Sequence, residues 1–280
     1  MKRKPPGITP PDSDLYIYYL EGRVPSWEKL PDEHFIGNWE EEGFSFLFFE
    51  RPAENAVHRI INTYPPLKLL DSYHMTYEQW QGGKIEPLKI GRFLLAPPWA
   101  DVAPEHKLIE ITLDPGVVFG NGMHPTTRDC LAALEKSCAG KPAETMLDLG
   151  TGSGVLALAA IKLGCRRAMA VDFNFLAART ALENVHLNQM ERRILVVNGR
   201  AEHYTDFPAD LLVANIHWDI MQRLVRSEGF FRKKWFVLSG LLRSEAKKLD
   251  GYLANQPVTV LKRWDQGGIW HTFLGKTRDH

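Results

Sequence analysis

Asp148-Leu149-Gly150-Thr151-Gly152-Ser153-Gly154 is the stretch on which the reading of this chain depends. An apolar run at 145–149 leads into it, and an apolar stretch of helix length, 155–163, follows. Glycines let the backbone turn sharply and approach a ligand closely, and the start of the following helix favours negative charge. A tight strand-to-helix turn would use glycines too, so the surroundings matter. Asp172 lies 22 residues beyond Gly150, at the end of the next apolar run. A carboxylate at such a strand tip can accept two hydrogen bonds from a ribose diol. The competing reading of Asp172 is a cap for a helix over 174–187.

Outward from the loop, short apolar runs recur at 145–149, 168–172, 194–197, 211–214 and 236–238, separated mostly by helix-length stretches. Buried parallel strands read as near-continuous apolar runs, which predicts a doubly wound α/β sheet. The runs at 258–264 and 269–274 are separated only by Asp265-Gln266-Gly267-Gly268, too short for a helix, so they must form an antiparallel hairpin. The expectation is a Rossmann-like, seven-stranded sheet over residues 111–280. Residues 83–110, with Pro87, Pro97, Pro98 and Pro104, read as an extended, stiff linker. Residues 1–82 are aromatic-rich, with strand-like runs at 15–20 and 44–49 and a helix at 53–64, and predict a small N-terminal α+β domain.

The dinucleotide fingerprint G-x-G-x-x-G fails here, because the sixth position from Gly150 is Val155 and the third glycine comes one residue early. S-adenosylmethionine (SAM) has no pyrophosphate but carries an amino-acid end that such a loop can hold. A terminal antiparallel hairpin agrees with a class I methyltransferase sheet, so SAM is the expected cofactor.

The 280 residues are 44% hydrophobic and 24% charged, with 34 basic and 34 acidic side chains, which excludes a uniformly basic nucleic-acid binder. No apolar stretch approaches the roughly 18 residues a bilayer crossing needs. The opening residues 1–7 are basic but lead into proline rather than an apolar segment, so no secretory signal is expected. The three cysteines form no C-x-x-C, and the ten histidines fall in no metal-binding spacing, which fits a reduced, cytoplasmic protein without a metal. Residues 12–54 are acidic, a docking lobe for a basic partner or merely a solvated surface.

The stretch Leu113-Asp114-Pro115-Gly116-Val117-Val118-Phe119-Gly120-Asn121-Gly122-Met123-His124-Pro125-Thr126-Thr127 resembles the LDPG-x-x-FGTGTHPTT signature of the ribosomal protein L-eleven methyltransferase (PrmA) family. Asp148 to Gly154, Ala214-Asn215-Ile216 and Leu238-Ser239-Gly240-Leu241-Leu242 resemble that family's D-x-G-x-GSG, ANI and LSG-I-L elements, at fitting spacings. The resemblance covers residues 85–275. It implies a SAM-dependent protein methyltransferase acting on lysine and N-terminal amines, with a ribosomal protein as partner and the N-terminal domain recognising that substrate. It further implies that Thr127, Gly150, Asp172 and Asn215 contact SAM, while Phe119 and the 120–124 loop cover it. The chain departs from the pattern at Asn121 and Met123, where threonines are usual, and at His217-Trp218-Asp219. Both departures lie on the acceptor side.

Other candidates carry two readings each. Thr126 with Asp129 forms a loose capping box, while the Thr127 hydroxyl suits a ligand carboxylate. Asp148 binds the SAM amino group or ties down the loop around Gly150 and Gly152. Phe173 flanks an adenine or packs, and Ala201 and Glu202 border the adenine edge. Asn215 faces ligand or shapes a turn. His217 and Asp219 are acceptor-side candidates, with Trp218 as a pocket wall; on an extended segment His217 and Asp219 would face one side, and otherwise Asp219 caps a helix over 220–227. The basic run around Arg223, Arg226, Arg232, Lys233 and Lys234 is a solvated face or an RNA contact. A monomer that needs neither membrane nor nucleic acid suffices. The competing functions are a methyltransferase of another protein or a small molecule, and a non-catalytic SAM-binding module.

Overall fold

The computed structural model describes residues 13–24, 32–41, 43–103, 105–140 and 142–278. The opening residues 1–7 and Pro104 lie outside the described residues. Two compact units meet in the chain between Ile85 and Glu86, with residues 174–176 grouped with the first.

The first unit is an antiparallel sheet of β1 (Asp14–Glu21), β2 (Phe35–Glu41), β3 (Phe44–Phe49) and β4 (Lys68–Thr76) in the order β2-β3-β1-β4, with helices α1 (Glu54–Thr63) and α2 (Tyr77–Trp80). Alternate burial along β1 turns Tyr18 and Leu20 toward Leu47, Phe49, Val57 and Ile60, where α1 lays its apolar face. The Tyr18 hydroxyl accepts from the Ala53 amide (2.8 Å) at the start of α1. Two strands escape the sequence reading. β2 mixes glycine, asparagine and glutamates with its aromatics, and nearly every side chain of the edge strand β4 is exposed, so neither carries a period-two signal.

In the second unit the expected extended linker is instead a small sheet from Leu88 onward. β5 (Leu88–Ile90) pairs antiparallel with β6 (Phe93–Ala96), which pairs parallel with β7 (Ile109–Thr112). Ile90, Phe93, Leu95 and Ile111 are buried in the same core cluster as Leu131 and Leu158, so apolar burial overrides the proline content.

The large sheet contains β8 (Thr145–Leu149), β9 (Arg167–Asp172), β10 (Ile194–Asn198), β11 (Leu211–Asn215), β12 (Trp235–Leu242), β13 (Val258–Gln266) and β14 (Trp270–Thr277). Its order is β10-β9-β8-β11-β12-β14-β13, parallel except where β14 pairs antiparallel with both neighbours. The helices are α3 (Pro125–Ser137), α4 (Val155–Lys162), α5 (Phe175–Leu187), α6 (Trp218–Leu224), α7 (Glu228–Phe231) and α8 (Arg243–Leu253). Strand alternation builds two cores. Met146, Ala170 and Val213 face a cluster with α3 and α4, whereas Leu147, Val171, Leu212 and Phe236 face one with α6, α7 and α8. The chain runs outward from β8 to β10 and returns to β11 on the other side of β8. This reversal opens a crevice at the carboxyl ends of β8 and β11.

Candidate functional site

The glycine loop caps that crevice. Gly150 and Gly152 have φ of +76° and +55°, in the left-handed region that side chains disfavour. A Cβ on Gly150 would stand 2.2 Å from Ile216 Cγ2, and one on Gly152 would stand 2.6 Å from the Phe119 carbonyl oxygen. The loop is therefore threaded between two other segments of the site. Ser153 stitches it to the 119–120 backbone, its amide donating to the Phe119 carbonyl (3.0 Å) and its hydroxyl to that of Gly120 (2.8 Å). Phe119 itself remains exposed beside the loop.

Asp148, at the penultimate position of β8, is fully buried. Its Oδ2 accepts from the Thr151 hydroxyl (2.7 Å), while Oδ1 has no partner within the protein. Burial pushes this carboxyl up to about 7, and the charge of Asp172 adds to the effect. The hydroxyl of buried Thr127, in the first turn of α3, is likewise without a partner. Buried polar atoms are rarely left unsatisfied, so the Asp148 oxygen marks a place for a ligand donor and the Thr127 hydroxyl one for a ligand acceptor.

Asp172 ends β9, and its Oδ2 accepts from the Gly152 amide (3.0 Å). The helix-capping alternative for Asp172 gives way to Asn174, whose Oδ1 accepts from the Leu176 amide (3.0 Å). The Asn198 side chain donates to the carbonyls of Asp172 and Phe173 (3.0 and 2.9 Å), fixing the strand end; the Phe173 ring is exposed. Ala201 and Glu202 follow β10 on a single 3₁₀ turn, where Glu202 pairs with Arg200 and Arg223 (3.6 and 3.5 Å).

Asn215 at the end of β11 donates from Nδ2 to the Thr126 hydroxyl (3.2 Å), which hydrogen-bonds His124 Nδ1 (2.7 Å). The Thr126 amide also donates to Nδ1 (3.3 Å), so His124 rather than Thr126 caps α3. The expected capping box is absent because Asp129 turns elsewhere, accepting from Gln266 Nε2 (2.7 Å) and tying α3 to the terminal hairpin. Burial pulls the His124 pKa below its usual 6.5, consistent with a neutral ring that accepts at Nδ1. Edge contacts join that ring to Phe119 (5.1 Å between centroids) and to Trp270 (5.0 Å). The sequence reading misses Trp270, which carries no local signal and arrives only through the hairpin.

His217 and Asp219 do not form the extended pair. The chain is helical from Trp218, with His217 at the cap position and exposed Asp219 inside the first turn, so their side chains diverge with the helical period. Asp219 is also not the helix cap. Trp218 is half-buried and packs against the α6–α8 core. Among the described residues no group of histidine, cysteine or carboxylate side chains could hold a metal, and no helix is long and apolar enough to cross a membrane.

A seven-stranded sheet of this order, with a left-handed glycine loop above its switch point, defines the class I methyltransferase fold. Comparison with known proteins narrows the class. Residues 70–278 match the family described as ribosomal protein L11 methyltransferase (PrmA), and the chain belongs to that family. A protein of that name from Desulfitobacterium hafniense is 31% identical over 280 residues, covering 94% of this chain and 87% of the relative. One from Listeria innocua is 34% identical over 190 residues, covering 66% of this chain and 59% of that protein. The crystal structure of a ribosomal protein L11 methylase from Lactobacillus delbrueckii subsp. bulgaricus superposes with a TM-score of 0.61 at 28% identity, covering 69% of this chain and 99% of that one.

Proposed function

We propose that this chain transfers methyl groups from SAM to the lysine and N-terminal amines of a ribosomal protein, in the cytoplasm. The observation that carries the reading is the buried Asp148 Oδ1, a carboxylate oxygen that needs a donor and has none within the protein. A SAM ammonium is such a donor, and the Thr127 hydroxyl suits the adjoining carboxylate. Phe119, Gly120, Thr127, Asp148, Gly150, Gly152, Asp172, Phe173, Ala201 and Asn215 would hold the cofactor, with Asp172 accepting from the ribose diol. When bound, SAM supplies an electrophilic methyl group on a sulfonium.

The protein's own part is to align and desolvate the acceptor. A lysine of ordinary pKa about 10.4 must arrive without its proton, and an apolar, aromatic environment favours the neutral amine. Phe119, His124 and Trp270 form such a wall. The Asn215–Thr126–His124 chain fixes the polar groups beside it, so that placement of the amine supplies most of the rate. With His124 Nδ1 engaged by Thr126, solvent suffices to take the proton and no dedicated base is required. The N-terminal α+β unit, through residue 82, would recognise the protein substrate.

Incubation with methyl-labelled SAM and a methylation-naive extract tests this. Label in one small ribosomal protein supports the reading. Label confined to another protein or to low-mass compounds moves the substrate, and SAM binding without any transfer refutes the enzyme.

A further inference from the structure

The basic run that stands out in the sequence is largely neutralised in the fold. Arg223 pairs with Glu202, Arg232 with Asp206 and Lys234 with Asp210, while buried Lys233 donates to the Phe207 carbonyl. A different set of cations is not neutralised. At the amino-terminal edge of the large sheet, Lys162 ends α4, Arg166 precedes β9 and Arg167 opens it, and Arg192 and Arg193 lead into β10. Parallel pairing of Ala168 with Ile194 brings the two lead-ins side by side, and the Ala168 amide donates to the Arg193 carbonyl (2.9 Å). All five side chains are exposed, and none forms an ion pair with a carboxylate among the described residues. Asp210, on the same edge, is taken up by Lys234 and the Glu144 and Thr145 amides, and neither Glu144 nor Glu191 pairs with these cations.

We propose that Lys162, Arg166, Arg167, Arg192 and Arg193 form a binding surface for the phosphate backbone of RNA. Five like charges in one corner repel one another, and a polyanion relieves that repulsion. The planar forks of Arg166, Arg167 and Arg192 match phosphate oxygens bidentately, while the Arg193 guanidinium, hydrogen-bonded to backbone carbonyls, adds its charge. No aromatic side chain interleaves with them, so the surface reads backbone rather than bases. A membrane would require a cluster of large apolar groups beside the charges, and Leu195 is the one exposed large apolar side chain on β10. The choice of RNA over other polyanions rests on the proposed ribosomal-protein substrate, which RNA accompanies. The six residues of β9 separate the surface from Asp172 by roughly 15–20 Å, so bound RNA leaves the glycine loop clear.

The test is fluorescence anisotropy with a labelled 20-nucleotide single-stranded RNA, using the full chain and a triple variant, Arg166→Gln, Arg167→Gln and Arg192→Gln. Arg193 stays intact because its guanidinium holds the carbonyls of Cys165, Ile161 and Arg166 at the end of α4. The unmodified protein should bind at 50 mM salt, and the triple variant at least tenfold more weakly. The slope of log Kd against log salt should fall by about 2, as three lost single-strand phosphate contacts imply. Lysine at the same three positions should keep the slope, and SAM binding should be equal in all forms. Absence of RNA binding, or equal affinity and slope in the glutamine variant, overturns the proposal. So does binding confined to anionic phosphatidylserine vesicles or to polyglutamate. RNA binding without methyl transfer by the unmodified protein would refute the proposed enzyme and leave this surface standing.

Discussion

Raising the pH from 5 to 7 should tighten SAM binding by about 50-fold, because Asp148 must lose a proton to receive the ligand's ammonium. In the free protein its carboxyl lies at about 7 against an ordinary 3.8, since burial, helped by the charge of Asp172, disfavours ionisation more than the Thr151 hydroxyl and the Ala157 backbone favour it. That gap represents on the order of 4 kcal/mol of destabilisation when the group ionises. The sign follows from the direction of the displacement. A carboxyl raised on folding costs nothing below about 3.8, and its penalty accumulates as pH climbs to about 7. An ammonium against Oδ1 removes the penalty and returns the carboxyl toward its ordinary value. Affinity then grows about ninefold from pH 5 to 6 and about fivefold from pH 6 to 7, levels off, and falls above about 8 as the α-amino group of the ligand deprotonates. Isothermal titration calorimetry in buffers of different ionisation enthalpy should register about 0.9 proton released per SAM at pH 6. Asp148→Asn should abolish that release and weaken binding at pH 7.5 by at least tenfold. Affinity constant within twofold between pH 5 and 7, with no proton released, would refute the contact.

Three further outcomes follow from the geometry. Asp172→Ala should raise the SAM Kd tenfold or more, about 1.4 kcal/mol, and an unchanged Kd removes Asp172 from the cofactor site. Gly150→Ala places a methyl 2.2 Å from Ile216 Cγ2 at a φ of +76°, so thermal unfolding should show a loss of about 2 kcal/mol or more; an unaltered midpoint would contradict the packing. Thr126→Val leaves the Asn215 amide and His124 Nδ1 without their shared hydroxyl. About 1–3 kcal/mol of lost positioning should lower kcat at saturating SAM roughly 10- to 100-fold, with SAM Kd rising less through Asn215; an unchanged kcat would refute the positioning role.

What could be read from the chain alone is what is local. The turn at Asp148 to Gly154 announces itself because only glycine tolerates its backbone angles. The apolar runs of the parallel strands announce themselves because burial on both faces removes polar alternation. The closing hairpin could be inferred because four residues cannot hold a crossover helix. Reading failed where local pattern and final environment part. The prolines of 83–110 suggested an extended link, yet Phe93 and Leu95 bury into the core and form a sheet. The alternation of His217 and Asp219 suggested a pair, yet a helix begins between them.

The sequence by itself determined the fold class, the glycine loop and the carboxylate at the tip of β9, since each follows from backbone conformation or short-range periodicity. The tertiary structure alone decided which side chains meet. Inserting β14 between β12 and β13 brings Trp270 to His124 and Gln266 to Asp129, partners separated by more than a hundred residues. It also decided which cations are neutralised, pairing the conspicuous run at 223–234 and leaving a scattered set exposed at the foot of β9 and β10. Such contacts depend on how whole elements pack against a shared core, and no short-range pattern encodes them.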